Sequence, residues 1–133
     1  MKLVKDAISI DELKGMSEVM EKKIIHKDLA SGRWFTFSLV EQLANVGSDV
    51  ERTIQWKKRG NKEYSQHALE RALELLDLTI ADPKNKKRLK EIIRVRYMLA
   101  DHYMGINEFS FTDEYWQQYF FDFGYAAAIQ RGR

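Results

Sequence analysis

Residues 38–60 read SLVEQLANVGSDVERTIQWKKRG, and within this one stretch lie a start signal, a repeating apolar face and a stop signal for a helix. Ser38 and Glu41 have the spacing of a capping box, in which the hydroxyl and the carboxylate each take up a backbone N–H exposed at the other's position. Leu39, Val40, Leu43, Val46, Gly47, Val50 and Ile54 then recur at intervals of three and four, the period of a helical face. Lys57, Lys58 and Arg59 complement the carbonyl end of the helix dipole, and Gly60 supplies a C-terminal cap. The spacing predicts a first main helix from Ser38 to about Arg59.

The same signals recur downstream. Asn61 can cap a second helix whose inner face carries Ala68, Ala72, Leu75, Leu76 and Thr79, widened by Leu69, Leu73 and Ile80. Asp82-Pro83 sets a capping residue before a proline at the first helical position, so a third helix is expected to begin there and to run to about Met104, before Gly105. Thr112-Asp113-Glu114 marks the start of a fourth, reaching about Gln130. Short connections make successive helices antiparallel, and lengths of roughly 20 residues suit a bundle about 30 Å tall.

Upstream, Trp34-Phe35-Thr36-Phe37 is expected to plug one bundle end, and His26 to Gly32 forms a polar connector. Ser9 and Glu12 make another capping box, followed by a stripe of Leu13, Met16, Val19, Met20 and Ile24 in a short helix that Gly15 interrupts. The fold class is therefore all-α: an antiparallel up-and-down four-helix bundle over residues 34–133, preceded by an N-terminal arm over residues 1–33.

Composition agrees with this plan. A chain of 133 residues fits one domain, 44% hydrophobic and 32% charged residues are an ordinary globular balance, and a single proline with seven glycines leaves long uninterrupted segments. The absence of cysteine removes disulfides and thiolate metal sites. No run approaches the roughly 18 apolar residues of a membrane span, and Met1 to Asp6 has no leader-like apolar stretch, so a soluble, cytoplasmic protein with no membrane association is expected. A net charge of +2 excludes a strongly basic nucleic-acid binder and leaves only local patches for that role. Phosphate-binding glycine loops, zinc-protease motifs and calcium loops are all missing, so no cofactor and no metal are expected.

Four groups of residues stand out. Arg96 falls at the centre of a third-helix face made by Leu89, Ile92, Ile93, Leu99, Ala100 and Tyr103, and a cation placed there requires a partner, for which Glu51 is the candidate. Lys84, Lys86, Lys87 and Arg88, with Lys90, crowd the start of that helix, where positive charge opposes the dipole but could hold an anion. Asp101, His102, Asp113 and Glu114 can meet where the third helix gives way to the fourth, but the bundle has no Glu-x-x-His pair, and charged capping is the preferred reading. The fourth helix presents Trp116, Tyr119, Phe120, Phe123, Gly124 and Ala127 to the core and Phe121, Tyr125 and Ile129 to another side. That second apolar side reads as an interface, against the arm or in a homodimer.

Four resemblances accompany these residues. The Arg96-x5-His102 spacing resembles the Arg-x4-6-His motif of the HEPN superfamily, and the likeness implies an RNA-binding protein or metal-independent ribonuclease with Arg96 and His102 as catalytic residues. Here Tyr97 follows the arginine, where that family commonly has a polar residue, and the pair lies in the penultimate helix instead of the last. Six residues also turn His102 about 120° from Arg96, so a shared site would need a second chain. Residues 34–131, with 38–47 and 72–85 as the most telling stretches, resemble a small prokaryotic all-α family that is itself uncharacterised; this implies no activity. Residues 4–14 are similar to the start of another such family, which implies a fused arm. Residues 56–64 with Ala68 and Ala72 have the look of a tetratricopeptide repeat, but no turn breaks His67 to Arg71, and one copy stands where about three are needed. The expected function is a non-enzymatic module for self-association or protein interaction, with the HEPN-like reading as the alternative.

Overall fold

A computed structural model describes residues 30–132, and the expected arm helix between Ser9 and Ile25 lies outside them. The described residues form four α-helices and no strand: α1 (Leu39–Lys58), α2 (Lys62–Ala81), α3 (Leu89–Met104) and α4 (Asp113–Arg131). The predicted caps form. Ser38 Oγ accepts the Glu41 N–H while the Glu41 carboxylate accepts the Ser38 N–H, Asn61 accepts from Tyr64 N, and Thr112 accepts from Tyr115 N. Gly60 ends α1 with a positive φ of 79°, which glycine adopts without steric cost.

The third helix departs from expectation at its start. Asp82 does cap, accepting from Lys84 N, but residues Pro83–Arg88 wind as a 3-10 segment, and α-helix begins only at Leu89. The reason is a buried polar network. Asn85 is drawn inward, its Nδ2 donating to Gln42 Oε1 at 2.8 Å and to the Thr79 carbonyl at 3.0 Å. Gln42 Nε2 in turn donates to Asp82 Oδ2 at 2.8 Å and to the Trp34 carbonyl at 3.1 Å, and Trp34 Nε1 donates to Thr79 Oγ1. All five residues are buried. Burial alone pushes the Asp82 carboxyl up, but the hydrogen bonds from Lys84 and Gln42 outweigh it and hold the group below its usual range. The network ties the aromatic plug, α1, α2 and the 3-10 segment together at one end, and the plug itself is Trp34, fully enclosed and packed edge-on against Phe37.

Helix α1 packs on both α2 and α4, while α3 packs on α2. Leu43, Val46, Val50 and Ile54 of α1 meet Leu69, Ala72 and Leu76 of α2, Ile92, Val95 and Leu99 of α3, and Trp116 and Phe120 of α4 in one core. Helices α1 and α4 approach tightly at Gly47, where an added Cβ would stand 2.6 Å from Phe120 Cβ. That neighbour sits at the root of its side chain and cannot swing aside. Gly47→Ala is therefore expected to lose stability despite its better helix propensity: overpacking costs about 1–3 kcal/mol against a propensity gain of about 1 kcal/mol. Urea unfolding of the variant should show a lower midpoint at an unchanged slope.

Candidate functional site

The outer side of α4 carries large exposed apolar residues at helical spacing. Between Tyr115 and Gln130 the helix carries one charged residue, Asp122. Trp116, Phe120 and Ala127 are buried and Tyr119 and Phe123 half-buried, as the periodicity predicts, which consumes the inward side. Phe121 and Tyr125 each remain 64% exposed and Ile129 43% exposed, at successive intervals of four along one stripe. Gly124, expected in the core, instead borders a groove of about 380 Å³ between α4 and α1, where Ala44, Gly47 and Ser48 form the opposite bank and Gln117 and Phe121 stand above it. A Cβ on Gly124 would meet nothing within 4 Å. The face therefore combines large protruding rings with an adjacent depression floored by small residues.

Arg96 lies at the edge of the inner face of α3. Ile92, Val95, Met98 and Leu99 are the buried residues of that helix, so the face is centred about a quarter-turn from where the sequence placed it. The guanidinium meets Asp77 of α2, not Glu51, in a bidentate pair with Nε to Oδ1 at 2.6 Å and a second nitrogen to Oδ2 at 3.2 Å. Glu51 faces α4, where both its oxygens accept from Gln117 Nε2 at 3.1 Å. Desolvation raises the Asp77 carboxyl above its ordinary pKa in spite of Arg96. The missed signal was the interruption of the apolar run 72–81 by Glu74 and Asp77.

His102 is held apart from Arg96 by different partners. Its side chain is 8% exposed. Trp116 Nε1 donates to His102 Nδ1 at 2.8 Å, and because an indole N–H can only donate, the imidazole proton resides on Nε2. The ring stacks on Tyr103 with centroids 4.1 Å apart. Asp113 accepts from the Tyr103 hydroxyl at 2.7 Å and from Lys57 Nζ at 3.4 Å, but lies 3.8 Å from His102 Nε2, beyond hydrogen-bond reach. Asp101 turns away to accept from Glu108 N. Burial lowers the His102 pKa; Asp113 and Asp101 oppose that shift and Lys57 assists it. Burial and the Asp113 hydrogen bond push the Tyr103 phenol far above its usual range.

The basic group before α3 is divided among structural partners. Lys84 reaches the Asp82 carboxylate and the Phe35 carbonyl, and Arg88 forks onto Glu91, whose other oxygen accepts from the Tyr119 hydroxyl at 2.7 Å. Lys86 and Lys87 are exposed. The 3-10 winding also occupies the N–H groups that an α-helical start would leave open, since Lys84 N and Asn85 N both bond to Asp82.

Comparison of the chain with protein-family models, curated proteins and solved structures finds no match. Among the described residues, no helix is long and apolar enough to cross a membrane.

Two consequences follow from these contacts. Arg96→Met leaves Asp77 without its cation and should cost roughly 2–4 kcal/mol, whereas Arg96→Met with Asp77→Leu should recover most of that loss, because a desolvated ion pair contributes little over packed apolar groups; paired denaturation curves of single and double variants decide it. The lowered His102 pKa has a defined sign. The unfolded chain takes up the proton first, so the stability that His102 contributes is full above about pH 6.5 and falls as the pH drops below it, until the folded state is protonated as well. His102→Gln, whose carbonyl can still accept from Trp116, should flatten the decline in unfolding midpoint between about pH 7 and 5.5 relative to the parent chain.

Proposed function

We propose that this chain is an interaction module, a helical bundle that associates with a second copy of itself through the outer face of α4. The observation that carries the reading is the stripe of Phe121, Tyr125 and Ile129 beside the Gly124 depression. A closed two-fold interface uses the same patch on both subunits, so the patch must hold both the projection and the recess that receives it. This face holds both. Charge on it is sparse: Asp122 is the single charged residue over sixteen residues and already accepts from Gln118. Aromatic residues at the centre of a patch depleted of charge are the composition of an interface core. Commitment of Arg96 to Asp77 and of His102 to Trp116 supports a binding role over the nuclease role that the HEPN resemblance implies.

Two variants test the reading without touching the core. Phe121→Ser removes a projection, and Gly124→Leu fills the recess in a position with open space around it. Each should raise the dimer dissociation constant at least about 30-fold, the effect of losing one central anchor, while leaving the helical circular dichroism unchanged. Sedimentation over a micromolar concentration series measures it. A parent chain that sediments only as a monomer, its α4 face covered by residues 1–29 or by a different protein, overturns the proposal.

A further inference from the structure

The His102 cluster borders a second cavity, at the opposite end of α1 from the Trp34 plug. About 360 Å³ in volume, it lies where α1, α2 and α3 converge, with Lys57, Lys62, Ser65, Gln66, His102 and Tyr103 around it. This is within the size range of small-ligand sites. Its polar lining is dominated by donors. Lys57 and Lys62 bring two ammonium groups, the second exposed beside the opening. Ser65 is already engaged, donating to the Thr53 carbonyl at 2.8 Å. Asp113, the carboxylate nearest to the cluster, is occupied by Tyr103 and Lys57. Leu69 and the Tyr103 ring form an apolar wall.

The second observation is His102 itself. More than nine-tenths of its side chain is buried, its Nδ1 is satisfied by Trp116, and its Nε2–H makes no hydrogen bond. The side chain is shielded but Nε2 is not itself sealed off, since Arg94 Nε is the buried unpartnered side-chain atom among the described residues, so its proton remains accessible to water or a ligand. That donor belongs to a residue lining a cavity whose two charged lining groups, Lys57 and Lys62, are both cations.

From this juxtaposition we infer that the cavity binds a compact phosphoryl-bearing anion, with the phosphoryl oxygens accepting from His102 Nε2, Lys57 and Lys62 and the organic part lying against Leu69 and Tyr103. Charge-assisted hydrogen bonds from ammonium groups to phosphate oxygens are among the stronger polar contacts, and a site part-enclosed between helices screens them less than open solvent does. Lys57 already lies 5.2 Å from the centroid of the Tyr103 ring, next to Asp113, so it needs only to exchange a long 3.4 Å contact for the anion. The site shares no residue with the α4 stripe and stands independently of the self-association reading.

The test uses inorganic phosphate and phenyl phosphate on the full chain, read through the imidazole nitrogens by long-range ¹H–¹⁵N spectra. The chain has three histidines, His26, His67 and His102, so each can be followed separately. Saturable movement of the His102 Nε2 signal alone is the expected result, with phenyl phosphate saturating at lower concentration than phosphate because of the apolar wall. Lys62→Gln, an exposed substitution that leaves the fold untouched, should weaken binding about tenfold, as loss of one charge-assisted contact does. A His102 signal that stays fixed at millimolar anion, or a non-saturating drift shared with His67, or equal affinity in Lys62→Gln, overturns the assignment.

Discussion

The contact between Gly47 of α1 and Phe120 of α4 sets the arrangement on which the rest depends. With no side chain at Gly47, α4 lies close enough for the root of Phe120 to occupy the space a Cβ would need, and its ring enters the core. Once Phe120 points inward, helical geometry fixes the direction of every other residue on α4. Trp116 and Ala127 follow it in, and Phe121, Tyr125 and Ile129 are turned out. The bundle can enclose only one side of a helix that is apolar on two, so the surplus becomes surface, and the groove left beside Gly124 is the outer edge of the same close approach.

The opposite flank of α4 is organised differently. There α3 and α4 are joined by ring-bearing side chains that reach across: Tyr119 to Glu91, Trp116 to His102, and Asp113 to Tyr103. Each of these bonds joins a polar tip to an aromatic body that fills space, which is how such side chains serve both core and boundary. The result is a line of polar contacts along the α3–α4 seam, ending in the shielded imidazole and the cationic cavity next to it. At the other bundle end, Gln42, Thr79, Asp82 and Asn85 form a closed network that fixes the register of α1, α2 and the 3-10 segment. Fully satisfied buried networks of this kind define a single arrangement more than they add stability.

Much of the fold was legible in the sequence because its signals are local. The capping box at Ser38, the Asn61 and Thr112 caps and the glycine stop at Gly60 are each contained within a few residues, and the starts of α1, α2 and α4 fall within a residue of expectation. What the sequence did not disclose depends on residues far apart along the chain. Asn85 reads as one more polar residue among lysines until Gln42 is placed 2.8 Å away, and its capture converts the start of the third helix to 3-10 winding. Arg96 was correctly singled out as a cation needing a partner, but Asp77 could be chosen over Glu51 only once the helices were paired. The outward stripe of α4 was readable from periodicity alone, whereas the recess beside it requires two helices to exist.

Self-association through that stripe is tested most directly by asking which residues of two copies lie next to each other. The chain has no cysteine, so a single thiol introduced by Ala128→Cys, an exposed position beside the stripe that keeps its three anchors, is unique, and Lys87→Cys, on the exposed 3-10 segment, serves as the control. Treated with a short bismaleimide at micromolar concentration, Ala128→Cys is predicted to give a covalent dimer in high yield and Lys87→Cys only a trace. Equal yields from both positions, or no dimer from Ala128→Cys while the thiol reacts freely, would contradict the account.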